Sequence, residues 1–191
     1  MERTIAMTGL GGQGIQLVAK LLAEAAMREG RQVMMFGIFM GMIRGGSSDS
    51  TVVLADDEIV SPPIVPACWA VLAMHAEGLP KLASKVRSGG VLVRNRATVP
   101  RAPDWDGVRD VAVPATDLAS ELGQPLGAGM VALGVLAATT GLVTVKSLGE
   151  TLATVLPPHR RRHVDANRAC IERGARWAEE QGAAGAVAAW S

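Results

Sequence analysis

The chain has 191 residues, enough for one sizeable hydrophobic core and too few for two full domains. Hydrophobic residues make up 49% of it, aromatic residues 3%, and the formal net charge is +1, so it offers a nucleic acid neither a basic surface nor stacking rings. Two cysteines, Cys68 and Cys170, stand far apart with no paired spacing, which excludes an iron–sulfur cluster or tetrahedral zinc held by these thiols alone and argues against a disulfide framework. The opening Met-Glu-Arg-Thr leads directly into an apolar run with no secretory pattern, and a cytoplasmic location is expected.

Arg3 to Thr8 reads as a first buried strand. Gly9-Leu10-Gly11-Gly12-Gln13-Gly14 follows as a glycine-rich turn. Ile15, Val18, Ala19, Leu22 and Ala26 then recur at helical spacing, and Gly30 supplies the stop. Gln32 to Phe39 is a second apolar strand. These three pieces form one strand–helix–strand unit, the expected beginning of a parallel sheet.

Met40 to Ser50 reads as a loop, Thr51 to Ala55 as a third strand, and Ile59-Val60 as a short hairpin return before Pro62, Pro63 and Pro66 break the pattern. Cys68 to Met74 is a central strand. Gly78 to Arg87 is expected to be helical, Gly90 to Arg94 a strand, and Thr98 to Gly107 a proline-rich surface connection. Val108 to Val113 completes the strands, and a short helix from Ala115 to Leu122 is capped by Thr116 or Asp117.

Gly123 to Val145 carries no charge and is long enough to span a bilayer. Its proline, interior glycines and lack of basic or aromatic flanks favour instead a covered helix over 127–140, whose small residues admit another backbone. Helices at Val145 to Leu156 and Arg160 to Gln181 follow. The Gly/Ala-rich end, 182–191, is expected to fray. The expected architecture is a single α/β domain over 1–181, three-layer α/β/α with a mostly parallel, Rossmann-like sheet, and no membrane span.

Gly9, Gly11 and Gly14 match the spacing of a dinucleotide fingerprint in the right strand–turn–helix context. That fingerprint also needs an acidic residue ending the second strand, where this chain has Gly-Ile-Phe-Met. No Lys-Ser/Thr follows the turn, so it is not a P-loop. Two readings stand at this point: a phosphate cradle, or glycines that merely let a helix pack close to a sheet.

The glycine turn followed by Ala19-Lys20-Leu21-Leu22-Ala23-Glu24-Ala25-Ala26 resembles the gamma subunit or domain of 2-oxoacid:ferredoxin oxidoreductases, the pyruvate, 2-oxoisovalerate, 2-oxoglutarate and indolepyruvate enzymes. Met42-Ile43-Arg44-Gly45-Gly46-Ser47 is similar to that family's arginine–glycine–glycine turn, and Ile59-Val60-Ser61-Pro62 to its Ile-x-Ser-Pro element. Gly89 to Val93 with Asn95 is similar to its Gly-Gly, strand, Asn element. Met130 to Leu136 and Asn167 to Gly174 resemble its late helices, so the likeness runs from about Thr4 to Gly174. The chain departs from the family at Gly127-Ala128-Gly129 and at His75, where asparagines are usual.

The resemblance implies a subunit of an enzyme that oxidatively decarboxylates a 2-oxoacid with coenzyme A, passing electrons to ferredoxin or another acceptor. Thiamine diphosphate and iron–sulfur clusters are then expected on the alpha, beta and ferredoxin-like partner subunits, and coenzyme A binding is associated with the gamma domain. On that basis Gly9, Gly11, Gly12, Gln13, Gly14, Arg44, Gly45, Gly46 and Asn95 are the expected coenzyme A-binding residues, with none catalytic and none metal-ligating. Loops 9–14 and 40–47 and the pair Arg94-Asn95 all follow strands and are expected to converge at one end of the sheet. Arg44 serves either a phosphate or a partner's carboxylate. Asn95 is either a turn residue or a ligand contact. A stand-alone nucleotide-binding module and a small NAD(P)H or flavin oxidoreductase are the alternatives. His159 and His163 share metal-chelating spacing, but Arg160, Arg161 and Arg162 between them oppose a cation, so this reads as a solvated or partner-facing basic turn. Cys68 reads as an inert core thiol and His75 as a hydrogen-bonded histidine.

Overall fold

A computed structural model describes residues 1–39, 46–62 and 66–190. The described residues form one six-stranded sheet: β1 (Glu2–Leu10), β2 (Gln32–Phe39), β3 (Ser47–Ala55), β4 (Cys68–Ala73), β5 (Val86–Asn95) and β6 (Arg109–Val113), in the order β2-β3-β1-β4-β5-β6. The helices are α1 (Ile15–Arg28), α2 (Ala115–Glu121), α3 (Ala128–Thr140), α4 (Val145–Val155) and α5 (Val164–Glu180). No helix among the described residues is long and apolar enough to cross a membrane.

The α/β class and the mostly parallel sheet are as expected. β4 pairs in parallel with β1 and β5, and β5 with β6. The exception is β3, which runs antiparallel to both its neighbours, with Arg3 opposite Leu54 in β1 and Met34 opposite Val53 in β2. β1 and β2 therefore share a direction without touching. A connection of only a few residues between β2 and β3 suits antiparallel neighbours, whereas a parallel return needs a crossover of a dozen or more. β3 also starts at Ser47, not Thr51, because Ser47 to Ser50 continue the ladder against β1 up to Leu10.

Alternation along the strands divides the core. Ile5 and Met7, Ala70 and Leu72, and Val91 and Val93 face the α-helices in the larger cluster. Ala6, Val71, Ala73 and Leu92 face the other side, covered by Leu79 of the 3-10 helix Ala76–Leu82 and by Val99 of the following connection. The outer layers are thus unequal, and all five α-helices contribute to the larger cluster. The expected helix over 78–87 is replaced by that 3-10 turn, and β5 begins at Val86. Pro80 denies the segment an amide donor, and Gly89 and Gly90 sit where the chain runs alongside β4.

The uncharged helix is buried at every position except Ala138, lying between the sheet and α5. α5 begins at Val164 because Pro158–His163 forms a separate 3-10 turn. Pro114, not Thr116 or Asp117, occupies the N-cap position of α2. No hairpin forms at Ile59-Val60; instead the Val60 N–H donates to Glu2 Oε1 at 2.6 Å, and Val60 is exposed. The final segment is packed where its composition suggested fraying. The N–H groups of Gly185, Val187 and Ala189 donate to Ala138, Thr139 and Thr140 carbonyls at the end of α3, and Trp190 stacks beneath the Arg31 guanidinium. Small side chains permit this close backbone approach, an advantage that composition alone conceals.

Candidate functional site

β1 carries Gly9 and Leu10 to its end, so the turn itself is only Gly11 to Gly14. Gly9 is a packing position: a Cβ there would meet Gln13 Oε1 at 2.7 Å and Ile15 Cγ1 at 2.8 Å. Gly14 occupies the N-cap of α1 with φ +74°, a left-handed conformation that most side chains resist. The Gln13 side chain braces the turn. Its Oε1 accepts from Leu10 N–H at 2.7 Å, while Nε2 donates to the Met74 carbonyl, 3.1 Å away just past β4. Both ends of Gln13 are therefore committed within the protein.

Gly11 N–H donates to Gly46 O at 2.9 Å, which brings the start of β3 beside the turn. That start is fixed by a polar cluster around Asp49. Its carboxylate accepts from Thr8 Oγ1 at 2.6 Å, Ser47 Oγ at 2.9 Å and Lys81 Nζ at 3.3 Å. Arg44 and Gly45 lie outside the described residues.

Gly11, Gly12 and Gly14 are exposed, and no side chain caps α1. The first amides of α1 are thus among those a helix leaves without an internal partner. Beside this helix start lies a cavity of about 470 Å³ lined by Gly12 to Gly14, by Gly127, Gly129 and Met130 at the start of α3, and by Arg160, His163 and Asn167. α3 likewise lacks a side-chain cap. Two uncapped helix starts and a guanidinium around one cavity make an electropositive site suited to a phosphate-bearing ligand.

The basic turn is what sequence reading missed. Arg160 and His163 line the same cavity as the glycine turn. The signal was present, three consecutive arginines at a helix start that their charge disfavours. Nothing local, however, indicates that α5 carries them back over the first helix. His163 Nε2 accepts from Arg162 Nε at 3.2 Å.

Asn95 ends β5, is 1% exposed, and donates from Nδ2 to Thr116 Oγ1 at 2.9 Å. With Gly12 and Gln13 it lines a smaller cavity of about 110 Å³. The structure thus brings Gly12, Gln13, Gly14 and Asn95 to one end of the sheet, with Gly46 beside Gly11. Arg94 does not join them. Alternation along β5 turns it to the opposite face, where it forms a two-bonded pair with Asp110 (2.7 and 2.8 Å) and donates to Val99 O at 2.6 Å.

His75 Nδ1 accepts the Glu77 N–H at 3.3 Å, capping the 3-10 turn as a hydrogen-bonded histidine. Burial raises the Cys68 thiol pKa to about 11, and raises that of Cys170 as well. Both thiols are therefore protonated and poorly nucleophilic near neutrality.

The chain matches the family model for pyruvate ferredoxin/flavodoxin oxidoreductase over residues 4–177. It is 30% identical over 181 residues to the ketoisovalerate oxidoreductase subunit VorA of Methanothermobacter thermautotrophicus, covering 94% of this chain but 37% of that protein. It is also 30% identical over 165 residues to the 2-oxoglutarate synthase subunit KorC of Methanothermobacter marburgensis, covering 83% of this chain and 88% of that protein. Among solved structures it is similar to the gamma subunit of a keto/oxoacid ferredoxin oxidoreductase from Geobacter sulfurreducens, with a TM-score of 0.80, 27% identity, and coverage of 96% of this chain and 99% of that one. A 2-oxoglutarate:ferredoxin oxidoreductase from Magnetococcus marinus shares the fold at a TM-score of 0.81 and 23% identity, over 94% of this chain and 31% of that one.

Proposed function

The chain belongs to the pyruvate ferredoxin/flavodoxin oxidoreductase family, and on that premise we propose that it is the gamma-type subunit of an enzyme that converts a 2-oxoacid and coenzyme A to acyl-CoA and CO2. Electrons leave to ferredoxin or another acceptor. Thiamine diphosphate and iron–sulfur clusters belong to the alpha, beta and ferredoxin-like partner subunits. The part of this chain is to hold coenzyme A by its phosphates and to join the complex. The backbone N–H groups of Gly12 and Gly14 supply the first phosphate contacts, while Gly11 and Gln13, whose N–H groups donate to Gly46 O and Leu10 O, hold the turn together with Gly9. Arg44 and Gly45 are assigned to the ligand's phosphates, and Asn95 to the inner end of this cradle.

The observation that carries the coenzyme A reading is the cavity of about 470 Å³ that the glycine turn lines together with Arg160 and His163. Coenzyme A is rich in phosphate and makes no demand for a ribose-binding acid at the second strand. NAD does, and here the strand that would carry that acid is displaced by β3. The end of β2 lies two strand spacings, roughly 10 Å, from β1.

Native co-purification with mass spectrometry of the partners tests the assembly. A thiamine-diphosphate subunit and a ferredoxin-like subunit are expected, together with 2-oxoacid oxidation that depends on added coenzyme A. Titration tests the ligand, with coenzyme A binding more tightly than NAD. A monodisperse monomer that prefers NAD overturns the proposal. In the assembled enzyme Arg44→Ala raises KM for coenzyme A and leaves 2-oxoacid affinity nearly unchanged; the reverse pattern removes Arg44 from the phosphate site.

A further inference from the structure

The start of β1, roughly 25 Å along the strand from the glycine turn, carries a cation with no counterion. Arg3 is half-buried there. Its Nε donates to the Ala189 carbonyl at 2.5 Å, and its guanidinium carbon lies 4.6 Å from the centre of the Trp69 ring. Neither partner is an anion, and Arg3 forms no ion pair among the described residues. Burial pulls its pKa down, the mark of a charge that has lost water without gaining a carboxylate. A guanidinium stays ionised at neutrality all the same, so the uncompensated charge persists.

A second arginine shares the place. β1, β4 and β5 run parallel, which gathers their starts at one end of the sheet, and Arg87 stands at the start of β5 as Trp69 does at the start of β4. Arg87 is exposed, and its side chain makes no hydrogen bond or ion pair among the described residues. Arg3 and Arg87 together line a cleft of about 140 Å³. Glu2 lines it too but is engaged elsewhere. Its carboxylate accepts from the Val60 N–H at 2.6 Å, the Ser61 N–H at 3.3 Å and the Ser61 hydroxyl, and it pairs with neither arginine. Two guanidiniums against one carboxylate leave a single net positive charge, and Pro62, Pro66 and Trp69 add apolar lining.

We propose that this cleft binds a short-chain monocarboxylate, its carboxylate met by Arg3 and Arg87 and its hydrocarbon tail by Pro62, Pro66 and Trp69. Guanidinium forks match a carboxylate in shape as well as charge. One negative charge neutralises the lining, whereas a phosphate dianion overshoots it. At roughly 30 Å³ per water the cleft has the room of about four or five waters, enough for a three- or four-carbon acid and too little for a nucleotide. The cleft shares no lining residue with either cavity beside the glycine turn. Its ligand is therefore independent of the coenzyme A reading.

Propionate is the probe, with propionamide as its neutral counterpart, inorganic phosphate as the competing anion and sodium chloride as the ionic-strength control. In nitrogen–proton correlation spectra of the full chain, propionate at millimolar concentrations is expected to shift the Arg3 Nε–H and Trp69 indole signals saturably. The half-saturation concentration should rise at least tenfold in Arg3→Gln and in Arg87→Gln. Propionamide and chloride should leave both signals in place, and phosphate should bind more weakly than propionate. Equal shifts with propionamide, tighter binding of phosphate, or an Arg87→Gln variant that binds propionate as the parent does would each overturn the proposal. Should Arg3→Gln not fold, the exposed Arg87 alone decides. In the co-purified assembly, modification of Arg87 by phenylglyoxal, read by mass spectrometry, should be slowed by propionate and not by propionamide. If Arg87 reacts in the isolated chain but not in the assembly, a partner subunit fills the cleft and no small acid binds there.

Discussion

Gly134 of α3 and Gly174 of α5 occupy reciprocal positions where the two helices cross. A methyl group on Gly134 would strike the carbonyl oxygen of Ile171, and one on Gly174 would strike that of Val131. The helices therefore meet backbone to backbone, which is how α3 comes to be buried at nearly every position without a charged face. The same crossing sets where α5 starts, and hence holds Arg160 and His163 over the glycine turn of the first helix.

Gly134→Ala is consequently expected to destabilise the chain by about 1–3 kcal/mol, the usual cost of overpacking. The obstacle is a peptide carbonyl, so no side-chain rotation relieves it. Urea unfolding measures the loss, and an unchanged midpoint would show that the helices do not cross this closely. A fall in anion affinity should accompany it, because the basic turn moves with α5.

Arg94 provides a contrast within one strand. Its side chain is 9% exposed and doubly bonded to Asp110, which is itself 36% exposed. Arg94→Ala should cost about 2 kcal/mol, below the cost of breaking a fully buried pair because water partly solvates Asp110. Coenzyme A affinity should not change, since Arg94 faces away from both cavities. Thermal unfolding and titration of one protein sample measure both quantities, and a selective loss of affinity would contradict this placement.

The difference between Arg94 and its neighbour Asn95 illustrates what a sequence can disclose. Both follow an apolar run and both were expected at the strand-end site, yet period-two alternation sends them to opposite faces. The glycine turn and its helix were legible because their signals are local, a strand, a turn and a helical repeat in succession. The insertion of β3 between β2 and β1 was not, because Thr51 to Ala55 looks the same in either direction and the choice depends on pairing with residues far along the chain. Gln13 matched a motif position, but its brace to Met74 depends on β4 lying next to β1. For the same reason the three arginines read as a solvated or partner-facing basic turn until the α3–α5 crossing located them.

Glu29 links α1 to α4. Its carboxylate accepts from the N–H and the hydroxyl of Thr144, both at 2.8 Å, at the N-cap of α4. Burial is the largest influence on this carboxyl and raises its pKa, but the hydrogen bonds from Ser147 and Thr144, aided by Arg31, together outweigh it and the net shift is downward. A carboxyl with a lowered folded pKa contributes its stability in full above the unfolded value, about 4.3, and loses it as pH falls through the folded value. Glu29→Gln should therefore lower the melting temperature at neutral pH and match the parent more closely at acid pH. A gap between the two proteins that stayed constant across that range would exclude the linkage.

Arg160 permits a test in which charge and shape give different answers. It lines the larger cavity from the 3-10 turn before α5, and it forms no ion pair among the described residues, so its charge is free to act on a ligand. Arg160→Ala should weaken coenzyme A binding by about tenfold, within the range for a charge-assisted hydrogen bond at a solvent-open site. The parent should also lose affinity as salt is raised, because the contact is screened, and Arg160→Ala should show a shallower dependence. Arg160→Lys should restore the salt slope but only part of the affinity, since lysine keeps the charge and loses the two-pronged geometry that suits a phosphate. If Arg160 serves only to fill space along the cavity wall, the lysine and alanine variants will share one salt slope with the parent, and the phosphate site must then lie with the glycine turn alone.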